Sequence, residues 1–125
     1  MKTNKNEKTL IVGASPNPAR YAFLAANMLN DYGYDFFLYG VKNGEVLGRK
    51  IINDWDEIPG NIHTVTLYVG PAHQSEIIPE ILKLKPSRII FNPGTENSTF
   101  EDSAKQLGIE VLEACTLVLL RTGQY

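Results

Sequence analysis

The chain has 125 residues, of which 43% are hydrophobic and 21% charged, and its formal net charge is -2. This size and composition are typical of one ordinary globular domain. The acidic balance argues against a nucleic-acid or anionic-membrane protein, which normally carries a basic face. Cys115 is the only cysteine, which excludes an internal disulfide and a cysteine metal cluster. With no signal-peptide core and no apolar run of membrane-spanning length, we expect a cytoplasmic protein.

Apolar runs alternate with helical periodicity from the start of the chain. A polar segment, 1–8, is expected to form a tail, and the apolar residues that follow at 9–14 predict a buried strand of the parallel type. Apolar residues at helical spacing over 21–32 then predict a helix. Pro18 suits the start of this helix, and Gly33 suits its C-terminal cap.

The rest of the chain continues the alternation. Further strands are predicted at four apolar runs, 35–41, 63–70, 87–94 and 109–114. Between the first two, 42–50 is interpreted as a turn-rich connector and 54–60 as a short helical turn. Helical periodicity recurs over 72–84 and 98–107, whereas periodicity leaves open whether 116–125 forms a helix or a strand.

Alternating strands and helices imply right-handed crossovers and a parallel sheet that is covered on both faces. We therefore predict an α/β, Rossmann-like three-layer fold in a single domain, 1–125, with a five-stranded, mainly parallel sheet in the order 3-2-1-4-5. Ligands of such folds bind beyond the carboxyl ends of the strands, where the strand order reverses. The loops expected to form a site are 13–20, 40–50, 70–75 and 92–97, each of which contains Gly, Pro or both.

The loop after the first strand departs from the dinucleotide-binding fingerprint. That fingerprint uses three glycines for a tight turn, close approach to a pyrophosphate and close helix packing. Here Gly13 fits the first position, while Ser15 and Pro18 stand at the other two. Ser15 offers a hydroxyl to a phosphate, the helix start beyond Pro18 offers N–H groups, and Arg20 adds a cation there. A plain strand-to-helix turn is the alternative interpretation.

The end of the second predicted strand bears on the kind of nucleotide. An NAD site has an acidic residue there that holds the ribose hydroxyls. This chain has Lys42 instead, with no acid before Glu45, and Gly40 and Gly44 leave space beside the lysine. A lysine suits a phosphate on the ribose, as in NADP or in the 3′-phospho-ADP of coenzyme A. The alternative is that Lys42 is an ordinary solvated lysine.

Taken in order, these residues resemble the small stand-alone CoA-binding domain proteins, which are related in fold to the CoA-binding domain of succinyl-CoA synthetase alpha subunits. The resemblance covers about Lys8 to Leu119, and its specificity lies in the order and spacing of short segments. Those segments are VGAS at 12–15, Gly33-Tyr34, Gly48, DEIP at 56–59, Gly94 followed by Asn97, and Cys115 after the last strand.

The resemblance implies that coenzyme A or an acyl-CoA binds at the C-terminal ends of the strands. Ser15, Lys42 and the loop Val69-Gly70-Pro71 match segments that contact CoA in the synthetase relatives, and NPGTEN at 92–97 matches a further turn. Together with the residues discussed above, the predicted CoA-binding set is Gly13, Ala14, Ser15, Arg20, Gly40, Lys42, Val69, Gly70, Pro71, His73, Asn92, Pro93, Gly94 and Asn97.

The expected function is therefore a nucleotide-cofactor binding module without catalysis of its own, because the synthetase's phosphorylated histidine and second domain have no room in this chain. Two alternatives stay open: an NADP-dependent oxidoreductase fragment and an acyl transferase that uses Cys115. No metal is expected, since His63 and His73 have no carboxylate or thiol at metal-ligand spacing. The expected partner is a small-molecule nucleotide, not nucleic acid or membrane, and the apolar segment 116–120 hints at a homodimer.

Overall fold

The computed structural model describes residues 2–125, which form one mixed sheet between two layers of helices. The strands are β1 (Lys8–Val12), β2 (Asp35–Tyr39), β3 (Glu45–Val46), β4 (Arg49–Ile52), β5 (Ile62–Leu67), β6 (Arg88–Phe91) and β7 (Glu110–Glu113). The α-helices are α1 (Tyr21–Asp31), α2 (Ile78–Leu84), α3 (Ser98–Gln106) and α4 (Thr116–Arg121), and 3₁₀ turns occupy Trp55–Glu57 and Pro71–His73.

The α/β, Rossmann-like fold is confirmed, but the predicted sheet is wrong in strand number and order. The sheet has seven strands in the order β3-β4-β2-β1-β5-β6-β7, and β3 pairs with β4 in the antiparallel direction. The segment predicted as a connector, 42–50, contains β3 and the beginning of β4. Because β4 pairs in parallel with β2, it takes the place that the prediction gave to 63–70. That strand, β5, pairs with β1 instead.

The missed hairpin has a physical explanation. A two-residue strand and a four-residue strand are too short to produce a clear alternating pattern. Their turn is made by Leu47 and Gly48, whose φ angles of 54° and 75° are both positive. If β4 is counted as the third parallel strand, the parallel part of the sheet has the order 3-2-1-4-5-6, which is that of doubly wound nucleotide-binding folds.

The helices bury both faces of the sheet, which explains the continuous apolar runs of the central strands. Successive residues of β1 point to opposite faces, so Ile11 lies in one apolar cluster and Leu10 and Val12 in the other. The first cluster includes side chains of α1 and α4, and the second includes side chains of α2 and α3.

The segment 116–125, left open by periodicity, begins with the helix α4. Four of its residues, Thr116, Leu117, Leu119 and Leu120, are buried in this chain. Val118, by contrast, is 50% exposed. Most of the apolar surface that hinted at a homodimer therefore belongs to the core, and the homodimer stays a prediction.

The segment expected to be a polar tail is joined to the sheet within its described residues. The buried Thr3 donates its N–H to the backbone oxygen of Tyr125 at 2.8 Å, and its hydroxyl lies 2.6 Å from that of Thr64. The buried guanidinium of Arg88 donates to the Thr3 hydroxyl and to the same oxygen of Tyr125. These contacts hold the N-terminal segment against the N-terminal ends of β5 and β6.

A buried histidine at this end of the sheet links stability to pH. The His63 ring is buried, with Nδ1 2.7 Å from the Thr64 hydroxyl and Nε2 3.2 Å from a carboxylate oxygen of Glu7. Burial lowers the pKa of His63, and the Glu7 carboxylate opposes this only in part. His63 is therefore protonated more readily in the unfolded chain than in the folded one. The free energy of unfolding should have its full value above about pH 6.5 and decrease as the pH falls below it.

Urea denaturation at several pH values between about 7.5 and 5.5 measures this dependence. His63→Gln should flatten the decline, because the titrating ring is gone. His73→Gln, at the exposed histidine, is the matched control and should retain the slope of the original protein. Equal slopes in all three proteins would contradict the role given to His63.

Candidate functional site

A cleft lies where the strand order reverses. From β1 the chain proceeds to β2 and β4 on one side and then to β5 on the other, so the loops after β1 and β5 diverge. The cleft between them has a volume of about 530 Å³. Its lining comes from the ends of β1, β2, β5 and β6 and from the start of α1. The lining residues are Val12, Gly13, Ala14, Ser15, Arg20, Tyr21, Ala22, Tyr39, Gly40, Val41, Lys42, Tyr68, Val69, Gly70, His73, Ile77, Pro93, Gly94 and Thr95.

Two glycines bring the loop after β1 into close contact with the loops after β2 and β5. A Cβ atom on Gly40 would lie 2.6 Å from the carbonyl oxygen of Ala14, and one on Gly13 would lie 2.9 Å from that of Tyr68. The N–H groups of Gly13 and Ala14 both donate to the carbonyl of Tyr39 at 2.9 Å. The floor of the cleft is therefore tightly built, and these two N–H groups are already paired within the protein.

The first loop is held by Asn17. The N–H of Asn17 donates to the Ser15 hydroxyl oxygen at 3.1 Å, while Asn17 Oδ1 accepts from Ala19 and the Asn17 carbonyl accepts from Arg20. The N–H groups of Ala19 and Arg20, which the sequence suggested for an anion, are thus engaged in the loop. Ser15 uses its oxygen as an acceptor and keeps its hydroxyl hydrogen for a ligand.

The start of α1 supplies donors one turn further on. Arg20 is the N-cap residue in an extended conformation, and no side chain caps this helix. The first N–H groups of a helix have no intrahelical partner, and they carry the positive end of the helix dipole. Tyr21 and Ala22, which carry these groups, line the cleft. An anion in the cleft would meet them together with Ser15 and Arg20.

Lys42 lines the cleft on a loop whose backbone is held by the side chain of Asn53. Asn53 donates from Nδ2 to the carbonyls of Gly40 and Lys42, at 2.7 and 3.1 Å. The Lys42 side chain itself is exposed. The backbone of this loop is therefore positioned while the ammonium group remains available to a ligand. Asn53 lies between β4 and a 3₁₀ turn, and no sequence pattern had singled it out.

The charge of the cleft differs from that of the whole chain. Arg20, Lys42 and His73 reach it, and within residues 2–125 none of its lining residues is acidic. The complete chain carries 14 acidic side chains against 12 of Lys and Arg, so a lining that contains Arg and Lys but no acidic residue is a local feature. The Glu96 carboxylate lies just outside this lining, where it accepts from the N–H of Gly94 at 2.8 Å. This arrangement favours an anionic ligand.

The lining also contains aromatic and apolar side chains that the sequence prediction did not include, among them Tyr21, Tyr39, Val41 and Tyr68. Tyr21 is 70% exposed and Val41 is 91% exposed, so both offer apolar surface at the cleft. Tyr39 and Tyr68 follow Leu at the ends of β2 and β5, and this repeated Leu-Tyr pair was the available signal. Burial raises the pKa of Tyr68 to about 12, so its hydroxyl is protonated at neutral pH.

Asn92 was predicted to bind the ligand, but its side-chain amide is hydrogen-bonded to other residues of the protein. Its Nδ2 donates to the Thr66 hydroxyl at 2.8 Å and to the carbonyl of Leu67 at 2.9 Å. Its Oδ1 accepts from the N–H of Thr116 at 2.8 Å. Asn92 is buried and joins the ends of β5 and β6 to the start of α4.

Three other residues discussed above also lie outside the cleft lining. Asn97 is the N-cap of α3, where it accepts from the N–H of Phe100 and donates to Gln74. Pro71 begins a 3₁₀ turn, and Cys115 is the half-buried N-cap residue of α4. The remaining predicted site residues line the cleft, so the predicted loops come together there, while several of the predicted side chains do not.

Gln74 is a positioning residue that the sequence did not indicate. It is fully buried, and its Nε2 donates to the carbonyls of Val69 and Thr95, both at 2.8 Å. These carbonyls belong to the loops after β5 and β6, so one amide group sets the distance between two walls of the cleft.

Two features are absent from residues 2–125. No three His, Cys, Asp or Glu side chains come together there as possible metal ligands. In the same part of the chain, no helix has the length and apolarity to cross a membrane.

The doubly wound sheet and the cleft at its switch point define a Rossmann-like domain of the kind that holds nucleotides at this position. The family described as "CoA binding domain" matches residues 7–121, and the chain belongs to that family. This confirms the resemblance inferred from the sequence. No match was found among curated proteins.

Solved structures share this fold. The crystal structure of an uncharacterized protein is 48% identical, with a TM-score of 0.92 over 95% of this chain and 98% of its own. A hypothetical protein from Pyrococcus horikoshii OT3 is 30% identical, with a TM-score of 0.84 over 93% of this chain and 82% of its own. An acetyl-coenzyme A synthetase 1 from Ca. Korarchaeum cryptofilum is 18% identical with a TM-score of 0.70, and 86% of this chain matches 25% of that one, which is a likeness of fold.

Proposed function

We propose that this protein binds coenzyme A or an acyl-CoA in the cleft at the switch point, without catalysis of its own. The observation that carries the proposal is the pair of cations Arg20 and Lys42, with the His73 imidazole beside them, in a cleft lining without acidic side chains. Membership of the CoA-binding domain family supports CoA as the ligand class. We also propose a cytoplasmic location, which rests on composition alone.

The diphosphate and the ribose 3′-phosphate of CoA can be assigned to two places in the cleft. Its diphosphate fits the start of α1, where Arg20 and the Ser15 hydroxyl stand beside the N–H groups of the first helical turn. Its ribose 3′-phosphate fits Lys42, one strand away at the end of β2. The pantetheine arm would then run along the loops after β5 and β6, past Tyr68 and Pro93.

The alternative functions have less support from the site. An NADP-dependent oxidoreductase fragment would also use Lys42 for a ribose phosphate, but the family assignment favours CoA. An acyl transferase that uses Cys115 would need this thiol at the reacting carbonyl, and Cys115 lies outside the cleft lining. We therefore retain the binding module as the proposed function.

Thermal shifts with three ligands test the proposal. A ligand that binds only the native state adds about 2.7 kcal/mol at 100 times its Kd, which corresponds to several degrees in Tm. CoA should produce such a shift, 3′-dephospho-CoA a smaller one because it lacks the phosphate at Lys42, and NAD almost none. Lys42→Ala should reduce the difference between CoA and dephospho-CoA, because the phosphate loses its partner.

Lys50→Ala is the matched control for this series. Lys50 is exposed on the neighbouring β4 and does not line the cleft, so its removal should leave the three shifts unchanged. An equal shift with NAD and CoA would refute the phosphate assignment. The same conclusion would follow if the Lys42 variant still distinguished the two forms of CoA as the original protein does.

A further inference from the structure

A second, smaller cavity of about 230 Å³ lies beside the cleft. We call it the side pocket, and it is lined by Tyr21, Tyr68, Asn92, Pro93, Cys115 and Leu117. Three of these residues, Tyr21, Tyr68 and Pro93, also line the cleft, so the two spaces adjoin. A ligand in the cleft that extends past these residues enters the side pocket.

We propose that the side pocket receives the acyl group of an acyl-CoA and selects for short, uncharged acyl chains. The inference rests on the proposed function, because it takes CoA to be the ligand of the main cleft. It adds the chemical class of the acyl group, which neither the fold nor the family assignment specifies.

The position of the side pocket suits the far end of an extended CoA. Lys42 follows β2, whereas Pro93 follows β6, and β1 and β5 lie between these two strands. The distance from β2 to β6 is three strand spacings of about 4.8 Å, or roughly 14 Å. With its ribose phosphate at Lys42, CoA would cross this distance with its diphosphate and pantetheine arm and carry its thioester towards the side pocket.

The lining of the side pocket favours an apolar group. Tyr21 and Tyr68 contribute rings, Pro93 and Leu117 contribute aliphatic carbon, and the Cys115 thiol behaves as a small apolar group. The amide of Asn92 is already hydrogen-bonded to Thr66, Leu67 and Thr116, so its polar groups are satisfied without a ligand.

The same lining disfavours an acyl group that ends in a carboxylate. None of the lining residues is Lys, Arg or His, so a carboxylate would enter without a counter-charge. Removing such a charge from water without a partner is costly. The size limits the chain as well, because a methylene group occupies about as much room as a water molecule, about 30 Å³ in the liquid. The side pocket of about 230 Å³ therefore has room for chains of up to about seven carbons.

Titration calorimetry with CoA, butyryl-CoA and succinyl-CoA tests the inference. We expect butyryl-CoA to bind about tenfold more tightly than CoA, a difference of about 1.4 kcal/mol. Succinyl-CoA should bind no more tightly than CoA. Leu117→Phe, which narrows the side pocket, should bring the affinity for butyryl-CoA down to that for CoA and leave the affinity for CoA unchanged.

Val118→Phe is the matched control, because Val118 is the next residue of α4, is 50% exposed and does not line the side pocket. It should retain the preference for butyryl-CoA. If Leu117→Phe does not fold, Cys115→Leu narrows the same pocket from another wall. Equal binding of CoA and butyryl-CoA, or tighter binding of succinyl-CoA, would overturn the side-pocket assignment alone. Failure of CoA itself to bind would overturn the proposed function and, with it, this inference.

Discussion

Replacing Gly40 with Ala is expected to lower the free energy of unfolding by about 3 kcal/mol, at the upper end of what overpacking costs. The added Cβ atom would lie 2.6 Å from the carbonyl oxygen of Ala14, a backbone atom that cannot rotate away. The loops after β1 and β2 would have to separate, although Gly13 and Ala14 both donate to Tyr39 there. Affinity for CoA should fall as well, because these loops form the floor of the cleft.

Gly60→Ala is the control for this experiment. Neither Gly40 nor Gly60 has a positive φ angle, and a Cβ atom on Gly60 would have no other atom within 4 Å. The control should therefore change stability by no more than about 0.5 kcal/mol. Urea denaturation measures both variants. Similar midpoints for the two would show that the loops can separate at little cost, contrary to the close packing inferred here.

Replacing Asn92 with Ala is also expected to destabilise the protein by about 3 kcal/mol. The change leaves the carbonyl of Leu67 and the N–H of Thr116 without their partner in a buried place, and it removes a donor from the Thr66 hydroxyl. Each buried polar group left unsatisfied costs about 1–3 kcal/mol. The denaturation midpoint should fall while the slope with urea stays the same.

Asn30→Ala provides the comparison. Asn30 is exposed on α1, where Ala has the higher helix propensity, so this variant should be as stable as the original or slightly more so. If Asn92→Ala is equally stable, the amide of Asn92 does not hold α4 to the sheet. Its original interpretation as a ligand-binding residue would then regain support.

The fold was predictable where the apolar signal was long. The apolar run Leu10-Ile11-Val12 of β1 is fully buried, so hydrophobicity alone identified this strand. The strand β5 is equally buried, although its sequence IHTVTL includes polar residues. The hairpin of β3 and β4 is short and lies largely at the edge of the sheet, where no burial pattern marks it. Overlooking it removed one parallel strand from the count, and the predicted strand order failed for that reason.

The loops that form the cleft were predictable, because topology places the carboxyl ends of parallel strands together. The roles of individual Asn and Gln side chains were less predictable. Asn92, Asn97 and Gln74 all follow strands or loops near the cleft, yet each is bonded within the protein. Nothing in a sequence distinguishes an amide that faces a ligand from one that satisfies buried backbone groups.

The stacking of one aromatic pair has a consequence for observing this protein. Tyr39 lines the cleft, and its ring lies against that of Trp55, with 3.8 Å between the ring centroids and 24° between the ring planes. Trp55 is the only tryptophan of the chain. The intrinsic fluorescence of the indole therefore comes from a single position one side chain away from the cleft, and the chain carries its own optical reporter at the end of β2.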